Sequence, residues 1–360
     1  MPSLFDPLSA GDLRLKNRIV MAPLTRGRAG PSRIPNDLMA AYYSQRASTG
    51  LIISEATAVS FEGYGWANAP AMYKDEMEKG WAAVTKAVHD KGGLMALQLW
   101  HMGRLSHPDF LDGALPLAPS PIAAEGSNRS LGPDKTYVIP REMTVDDIRR
   151  TVADFAAAAQ RAMRAGFDAV EIHGANGYLI DAFLKDGTNT RTDQYGGSVD
   201  NRARFLLEVV EAVTRAVGAG KTGLRLSPDT VQSATDSNPV KTFARVAALL
   251  DPYNLAYLHV KEPSRDAQGQ PRTPPAEKAM RGVYKGVMIV NEGYDGQTAQ
   301  AALDSNLADA VAFGVPVLSN PDYVERVRTG AALNKPDQKH FYVGGAEGYT
   351  DYPFLKAEAA

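Results

Sequence analysis

The stretch HGANGYL places His173, Asn176 and Tyr178 within six residues of one another. A histidine and an amide three apart can donate two converging hydrogen bonds to a single oxygen. Such a pair stabilises negative charge developing on a carbonyl, an effect of about 2.7–4 kcal/mol per donor. A tyrosine two residues further on can supply a proton from its phenol. Taken singly, the histidine reads as backbone-bonded, the asparagine as a turn residue and the tyrosine as packing. As a trio at the end of an apolar run they read as a reaction site.

Other polar residues also close apolar runs: Thr25, Glu55, Gln98 with His101, Arg225 and Lys261. Thr25 is unremarkable in a strand. Gln98 needs partners on both sides of its amide if buried, and a planar heterocycle with alternating donors and acceptors would satisfy it. Arg225 lies inside TGLRLSP and admits two readings, a structural ion pair or a contact to phosphate or a delocalised ring oxygen. Lys261 in LHVKEP raises Schiff-base chemistry, although Glu262 follows it and favours a solvated lysine.

Eight short apolar runs position these residues: 17–24, 50–56, 93–100, 168–174, 222–228, 255–262, 286–292 and 309–314. They lack alternation, as parallel strands buried on both faces should. Amphipathic helical patterns lie between them, including EKGWAAVTKAVHDKG, DDIRRTVADFAAAAQRAMRAG and NRARFLLEVVEAVTRAVG, most stopping at or near glycine. Strand–helix repeated eight times predicts an α/β fold, a single-domain (β/α)8 TIM barrel over 1–360 with active residues at the C-terminal strand ends. A doubly wound sheet is the structural rival. A plain barrel needs about 250 residues, so the surplus is expected in long loop excursions over that C-terminal face. The largest, 102–143, reads as a lid-like segment; another spans 176–199; the aromatic-rich tail 334–360 is expected to pack on the barrel.

Composition excludes several classes. The chain has no cysteine, so disulfides, thiolate nucleophiles and Cys-type metal sites are out. Its six histidines show neither HxxxH nor HxH spacing, and no metal is expected. A formal net charge of −2 gives no pull toward nucleic acid or membranes. No apolar run approaches the ~20 residues that span a bilayer, and the N-terminus lacks the n- and h-regions of a signal peptide; a cytoplasmic location is expected. GAGKTG, 218–223, matches GxGxxG literally. A dinucleotide fingerprint needs a strand before it and a helix after it, whereas here the order is reversed, so it reads as a turn. Ala308–Asp322, ADAVAFGVPVLSNPD, reads as a buried strand ending at Gly314, then a loop, then a helix opened by Asn320-Pro321. A glycine turn beside a helix start suits a phosphate, but Val315 stands where a cation would be wanted.

The segments NRIVMAPLTRGRA, YYSQRASTGLIISEAT, LQLWHMGRLSH, AGFDAVEIHGANGYLIDAFL, NTRTDQYGGSVDNRARFLLEVV, LRLSP, SNPD and EGYTDYP together resemble the old yellow enzyme family of flavin-dependent ene-reductases. The likeness runs from about Leu4 to Pro353 and is nearest the bacterial cyclohexenone and N-ethylmaleimide reductase branch. It implies non-covalent FMN at the barrel mouth, with NAD(P)H as a transient reductant in the same pocket, and small activated alkenes as substrates: enones, enals, maleimides, nitroalkenes. By the resemblance Pro23, Leu24 and Thr25 line the flavin, Ala56 and Gln98 meet its pyrimidine edge, and Arg225 meets N1/O2 and the ribityl chain. Asn291, Gly293, Gly314 and Val315 then surround the phosphate. His173 and Asn176 match the carbonyl-binding pair, Tyr178 the proton donor, and Trp66, Trp100 and Tyr342 the substrate pocket. Departures are Val315 where the family usually carries arginine, Asn291-Glu292-Gly293 where many relatives are glycine-rich, and Asn36 where threonine is common. A monomer or homodimer is expected. A Schiff-base barrel lyase using Lys261, and a degenerate ligand-binding barrel, remain as alternatives.

Overall fold

The computed structural model describes residues 1–264, 270, 271 and 273–355. Among them, eight parallel strands close on themselves: β1 Ile19–Met21, β2 Leu51–Ile53, β3 Met95–Trp100, β4 Ala169–Gly174, β5 Thr222–Leu226, β6 Tyr257–Lys261, β7 Met288–Asn291 and β8 Ala310–Phe313. Each pairs with its neighbours in sequence, and β8 pairs back to β1 through Val311 beside Ile19. This is a single-domain (β/α)8 TIM barrel. The strands coincide with the eight apolar runs, shortened at their ends where the chain leaves the ladder. The outer layer comprises α1 Asp37–Ser44, α2 Asp75–His89, α3 Val145–Arg164, α4 Leu179–Leu184, α5 Val199–Val217, α6 Pro239–Leu250, α7 Glu277–Val283 and α8 Gly296–Asp304. It is completed by α9 Val315–Ser319 and α10 Tyr323–Thr329.

Strand period decides which side chain goes where. Leu97, Leu99, Val170, Ile172, Leu224, Leu226, Leu258 and Val260 share one buried cluster with the helix faces. The alternate positions Val20, Leu51, Ile53, Ala96, Ala169, Tyr257, Ile289 and Ala310 fill the barrel instead, closed below by the hairpin Leu8–Ala10/Leu13–Leu15. One place in that interior admits no side chain. Gly223 pairs with Tyr257, and a Cβ there would lie 2.3 Å from the tyrosine Cζ.

Helix boundaries follow their caps. Thr144 and Asp147 make a reciprocal capping box at the start of α3, and the Ser198 side chain accepts from Asn201 N–H at the start of α5. GAGKTG is a turn, as its element order predicts: α5 ends at Val217, Gly218 has φ +95, and β5 begins at Thr222. The segment after β8 differs from expectation. No loop separates Gly314 from a helix opened by Asn320-Pro321; α9 starts at Val315 directly, with Pro316 in its first turn, where a missing N–H is no loss.

The excursion 102–143 is pinned by buried groups. Arg104 donates to Gln232 O at 2.8 Å, and Asn128 Nδ2 donates to Gly65 O and Leu105 O. The C-terminal segment wraps the barrel mouth. Tyr349 stacks on Tyr42 at 4.0 Å, Arg26 and Arg46 lie against these rings, and Arg26 donates to Phe341 O and Gly348 O. Residues 356–360 of the predicted tail lie outside the described residues. Among the described residues no helix is long and apolar enough to cross a membrane.

Gly223→Ala is expected to destabilise the barrel by about 1–3 kcal/mol through overpacking against Tyr257, with Tyr257→Leu in the same chain recovering part of the loss. Denaturant unfolding of the three proteins checks this; an unperturbed Gly223→Ala would mean the interior does not close as described.

Candidate active site

Above the apolar floor, the inward positions of five adjacent strands turn polar: Gln98, Glu171 and His173, Arg225, His259 and Lys261, and Asn291. Register sets them side by side, with Gln98 opposite Glu171, His173 opposite Arg225, Arg225 opposite His259, and Lys261 opposite Asn291. Gln98 Nε2 donates to Glu171 Oε1 at 2.8 Å, and His259 Nδ1 lies 2.9 Å from Glu171 Oε2. A carboxylate partner requires the amide NH2 of Gln98, which leaves Oε1 as the atom Gln98 can offer the space above.

Arg225 is held by an amide rather than by a carboxylate. It is buried, donates from Nη2 to Asn291 Oδ1 at 2.8 Å, and forms no ion pair among the described residues. Its Nε is buried with no partner. Asn291 is itself fixed, because its Nδ2 donates to Ala312 O at 2.8 Å. A guanidinium held this way is a donor set awaiting an acceptor, not half of a structural ion pair.

The chain turns sharply after β4. Asn176 and Gly177 both have left-handed φ, 60° and 78°, a pairing that asparagine and glycine tolerate best. The turn is held from three sides. Asn176 N–H donates to Ser227 Oγ at 2.8 Å, Gly177 N–H to Asp181 Oδ2 at 2.7 Å, and that carboxylate takes Lys185 Nζ at 2.8 Å in a fully buried pair. His173 Nδ1 accepts from Ala175 N–H at 3.3 Å, so the neutral ring carries its proton on Nε2. Burial, then the nearby Arg225 cation, holds its pKa well below the usual range. Tyr178 packs edge-on against His173 at 4.9 Å and Trp100 at 5.3 Å. Burial raises its phenol pKa, keeping the proton on.

These groups face a cavity of 240 Å³ lined by Pro23, Leu24, Thr25, Ala56, Trp66, Gln98, His173, Asn176, Tyr178, Arg225 and Tyr342, with Arg129 and Gln232 from the loops. Among the described residues the Asn176 amide and the Tyr178 hydroxyl make no side-chain hydrogen bond. A second cavity of 590 Å³ shares Pro23, Leu24, Asn176, Arg225 and Tyr342 with the first and runs on past Lys261, Asn291, Glu292, Gly293, Gly314 and Val315. The structure thus brings together every predicted residue except one. Trp100 is buried behind Tyr178 and lines neither cavity, because its inward position lies beneath the turn that carries Tyr178. Lys261 is not a solvated lysine: its Nζ lies 3.4 Å from Glu292 Oε2 and 3.7 Å from Asp229 Oδ2. His89, on the outer face of α2, meets Asp168 at 3.0 Å, far from the mouth.

Sequence reasoning missed Glu171, His259 and Arg129. The first two carried a readable signal, polar residues at the same strand parity as His173 and Arg225; Arg129 carried none. Glu55 gains a role. Buried beside β2, its carboxylate accepts from Arg26 N–H at 3.1 Å, Gly27 N–H at 3.2 Å and Tyr43 Oη at 3.1 Å, which fixes the strand-one loop bearing Thr25.

The two joined cavities can take an elongated ligand with a planar polar head and a tail. Arg225 and Gln98 would meet the head, and the loops after β6, β7 and β8 the tail. The profile of the NADH:flavin oxidoreductase / NADH oxidase family matches residues 3–334. The flavin oxidoreductase hxnT of Emericella nidulans is 43% identical over 384 residues, covering 98% of each chain. A probable flavin mononucleotide-dependent alkene reductase of Leishmania infantum is 42% identical, covering 98% of this chain and 97% of that one. Among solved structures, the old yellow enzyme homologue from Zymomonas mobilis superposes with a TM-score of 0.95 at 46% identity, covering 98% of this chain and 100% of that one. Morphinone reductase superposes at 0.94 with 50% identity, covering 98% and 96%.

The buried histidines predict acid sensitivity. His101 accepts from Gly103 N–H through Nδ1, and burial lowers its pKa to about 3. The folded protein therefore refuses a proton that the unfolded chain binds below pH ~6.5, and stability is lost as pH falls from there. His101→Asn is expected to remove about 1.5 kcal/mol of the loss between pH 6.5 and 5. Unfolding curves at the two pH values measure it; an unchanged pH dependence would show that His101 is protonated in the fold.

Proposed function

Because the chain belongs to the NADH:flavin oxidoreductase / NADH oxidase family, and within it to the old yellow enzyme-type ene-reductases that use FMN with NADH or NADPH as reductant, we propose that it reduces the C=C bond of alkenes conjugated to a carbonyl or similar group: enones, enals, maleimides and nitroalkenes. One observation carries this reading. The His173 imidazole, the Asn176 amide and the Tyr178 hydroxyl converge on a single cavity that has Arg225 and Gln98 in its wall.

FMN, when bound, supplies the hydride chemistry, and the protein contributes position and electrostatics. The unpartnered Nε of Arg225 and the free Oε1 of Gln98 fit a flavin head, a planar ring with acceptor oxygens and an N–H. Pro23, Leu24, Thr25 and Ala56 complete the walls around that head.

His173 and Asn176 hold the substrate oxygen. A neutral imidazole donating from Nε2 withdraws electron density from the conjugated carbon without becoming an acid, and the Asn176 amide adds a second donor. Tyr178 donates its proton to the carbon next to the carbonyl. A phenol whose pKa is raised keeps that proton until carbanion character develops beside it. Trp66 and Tyr342, 5.4 Å apart, close the substrate side of the cavity. Lys261 lines the other cavity and is engaged by two carboxylates, which leaves Schiff-base chemistry unsupported.

The test is stopped-flow under anaerobic conditions. NADH or NADPH should bleach the flavin, and 2-cyclohexenone should restore its colour. His173→Ala should retain flavin but lose about 10²–10³-fold in enone turnover; undiminished turnover would remove His173 from the assigned role. Tyr178→Phe should slow the reoxidation by enone by about 10²–10⁴-fold and leave reduction by nicotinamide unaltered. Equal slowing of both half-reactions counts against a proton donor at that position.

A further inference from the structure

The flavin head belongs with His173 and Tyr178, so the phosphate-bearing tail of FMN must extend into the 590 Å³ cavity beyond Arg225. Two cationic residues line that cavity among the described residues, Arg225 and Lys261. Arg225 sits at the boundary shared with the head cavity and is tethered to Asn291. Val315 follows the Gly314 turn and is 39% exposed, but carries no charge.

Lys261 is placed to serve, with its two carboxylate neighbours at ion-pair rather than hydrogen-bond distance. It ends β6 in register with Asn291, its side chain is 17% exposed, and it lies between Asp229 at 3.7 Å and Glu292 at 3.4 Å. Both distances exceed a good ammonium–carboxylate hydrogen bond of about 2.7–2.9 Å, and Nζ makes no hydrogen bond among the described residues. Three N–H donors therefore stand in a cavity with loose counter-ions. Glu292 is itself unusual: it has φ +124 in the turn before Gly293, in the region that favours glycine. A carboxylate held in a strained turn beside this lysine competes for the same ammonium.

We propose that Lys261 is the side-chain cation for the phosphate of FMN in this protein, and that Glu292 is its counter-ion in the absence of phosphate and an electrostatic competitor in its presence. The inference rests on the flavin-dependent reading above. Riboflavin, which has the same ring and chain without the phosphate, separates the two ideas.

Flavin-free protein is titrated with FMN and with riboflavin, following flavin fluorescence, at low and moderate salt. Lys261→Met should weaken FMN by about 10- to 150-fold, the loss of one charge-assisted hydrogen bond, and leave riboflavin unchanged. Lys261→Arg should restore most of the preference for FMN. Glu292→Gln should tighten FMN by about 2- to 5-fold without affecting riboflavin. If Lys261→Met weakens both flavins equally or neither, Lys261 is not the phosphate cation and the proposal falls, while the reductase reading stands. If the parent protein binds neither flavin, the reductase reading falls and takes the proposal with it.

Discussion

The mouth of the barrel is organised by a buried guanidinium that makes no ion pair among the described residues. Arg225 sits between His173 and His259 on adjacent strands, with Asn291 as its one side-chain hydrogen-bond partner among the described residues. A cation with no direct carboxylate partner in a low-dielectric site is costly, and its field acts on its neighbours. It discourages protonation of both histidines, reinforcing what burial already does. Glu171, one layer deeper, and then Glu292 are the carboxylates that act on Arg225, neither through a direct ion pair among the described residues. The Glu171 oxygens are occupied by Gln98 and His259 and do not reach Arg225 directly. Arg225 lines the cavity with its Nε unpartnered, so its positive charge would favour an electron-rich or anionic occupant of that space.

That arrangement depends on register. In a parallel barrel each inward residue has a fixed neighbour on either side, so a one-residue slip in β5 would exchange Arg225 for Leu224 or Leu226 and put the charge among the helices. The glycine at 223 serves the same end, since it leaves room for the Tyr257 ring beneath the polar layer. Loops then refine what the strands position. Glu55 ties the strand-one loop through two backbone N–H groups, and Asp181 with Lys185 ties the turn that carries Asn176 and Tyr178.

The barrel was legible because eight apolar runs separated by amphipathic helices satisfy one architecture well. The head of the site was legible because His173, Asn176 and Tyr178 are local in sequence, and because Arg225 is conspicuous in an apolar strand. The polar layer beneath was not, since Glu171 and His259 look like stray charges until strand parity is imposed across three strands at once. Trp100 stands behind Tyr178 rather than in the cavity wall, and proximity to a strand end does not say which residue a later turn will cover. The segment after Gly314 departs from expectation in one respect: a helix does follow Asn320-Pro321, from Tyr323, but Val315-Pro316 opens a shorter one where a loop is predicted.

Departures from the family pattern fall unevenly over the two cavities, and physics suggests why that is tolerable. Val315 and Glu292 line the tail cavity, and neither lines the cavity holding His173, Asn176 and Tyr178. Interactions with a cofactor tail are the same in the ground state and the transition state, so altering them changes how much flavin is held and leaves the barrier unmoved. Groups around the head act where charge develops, and their geometry tolerates little displacement. A change at the tail cavity would therefore alter how firmly a cofactor is held, whereas a change at Arg225, His173, Asn176 or Tyr178 would alter the chemistry proposed for the head cavity.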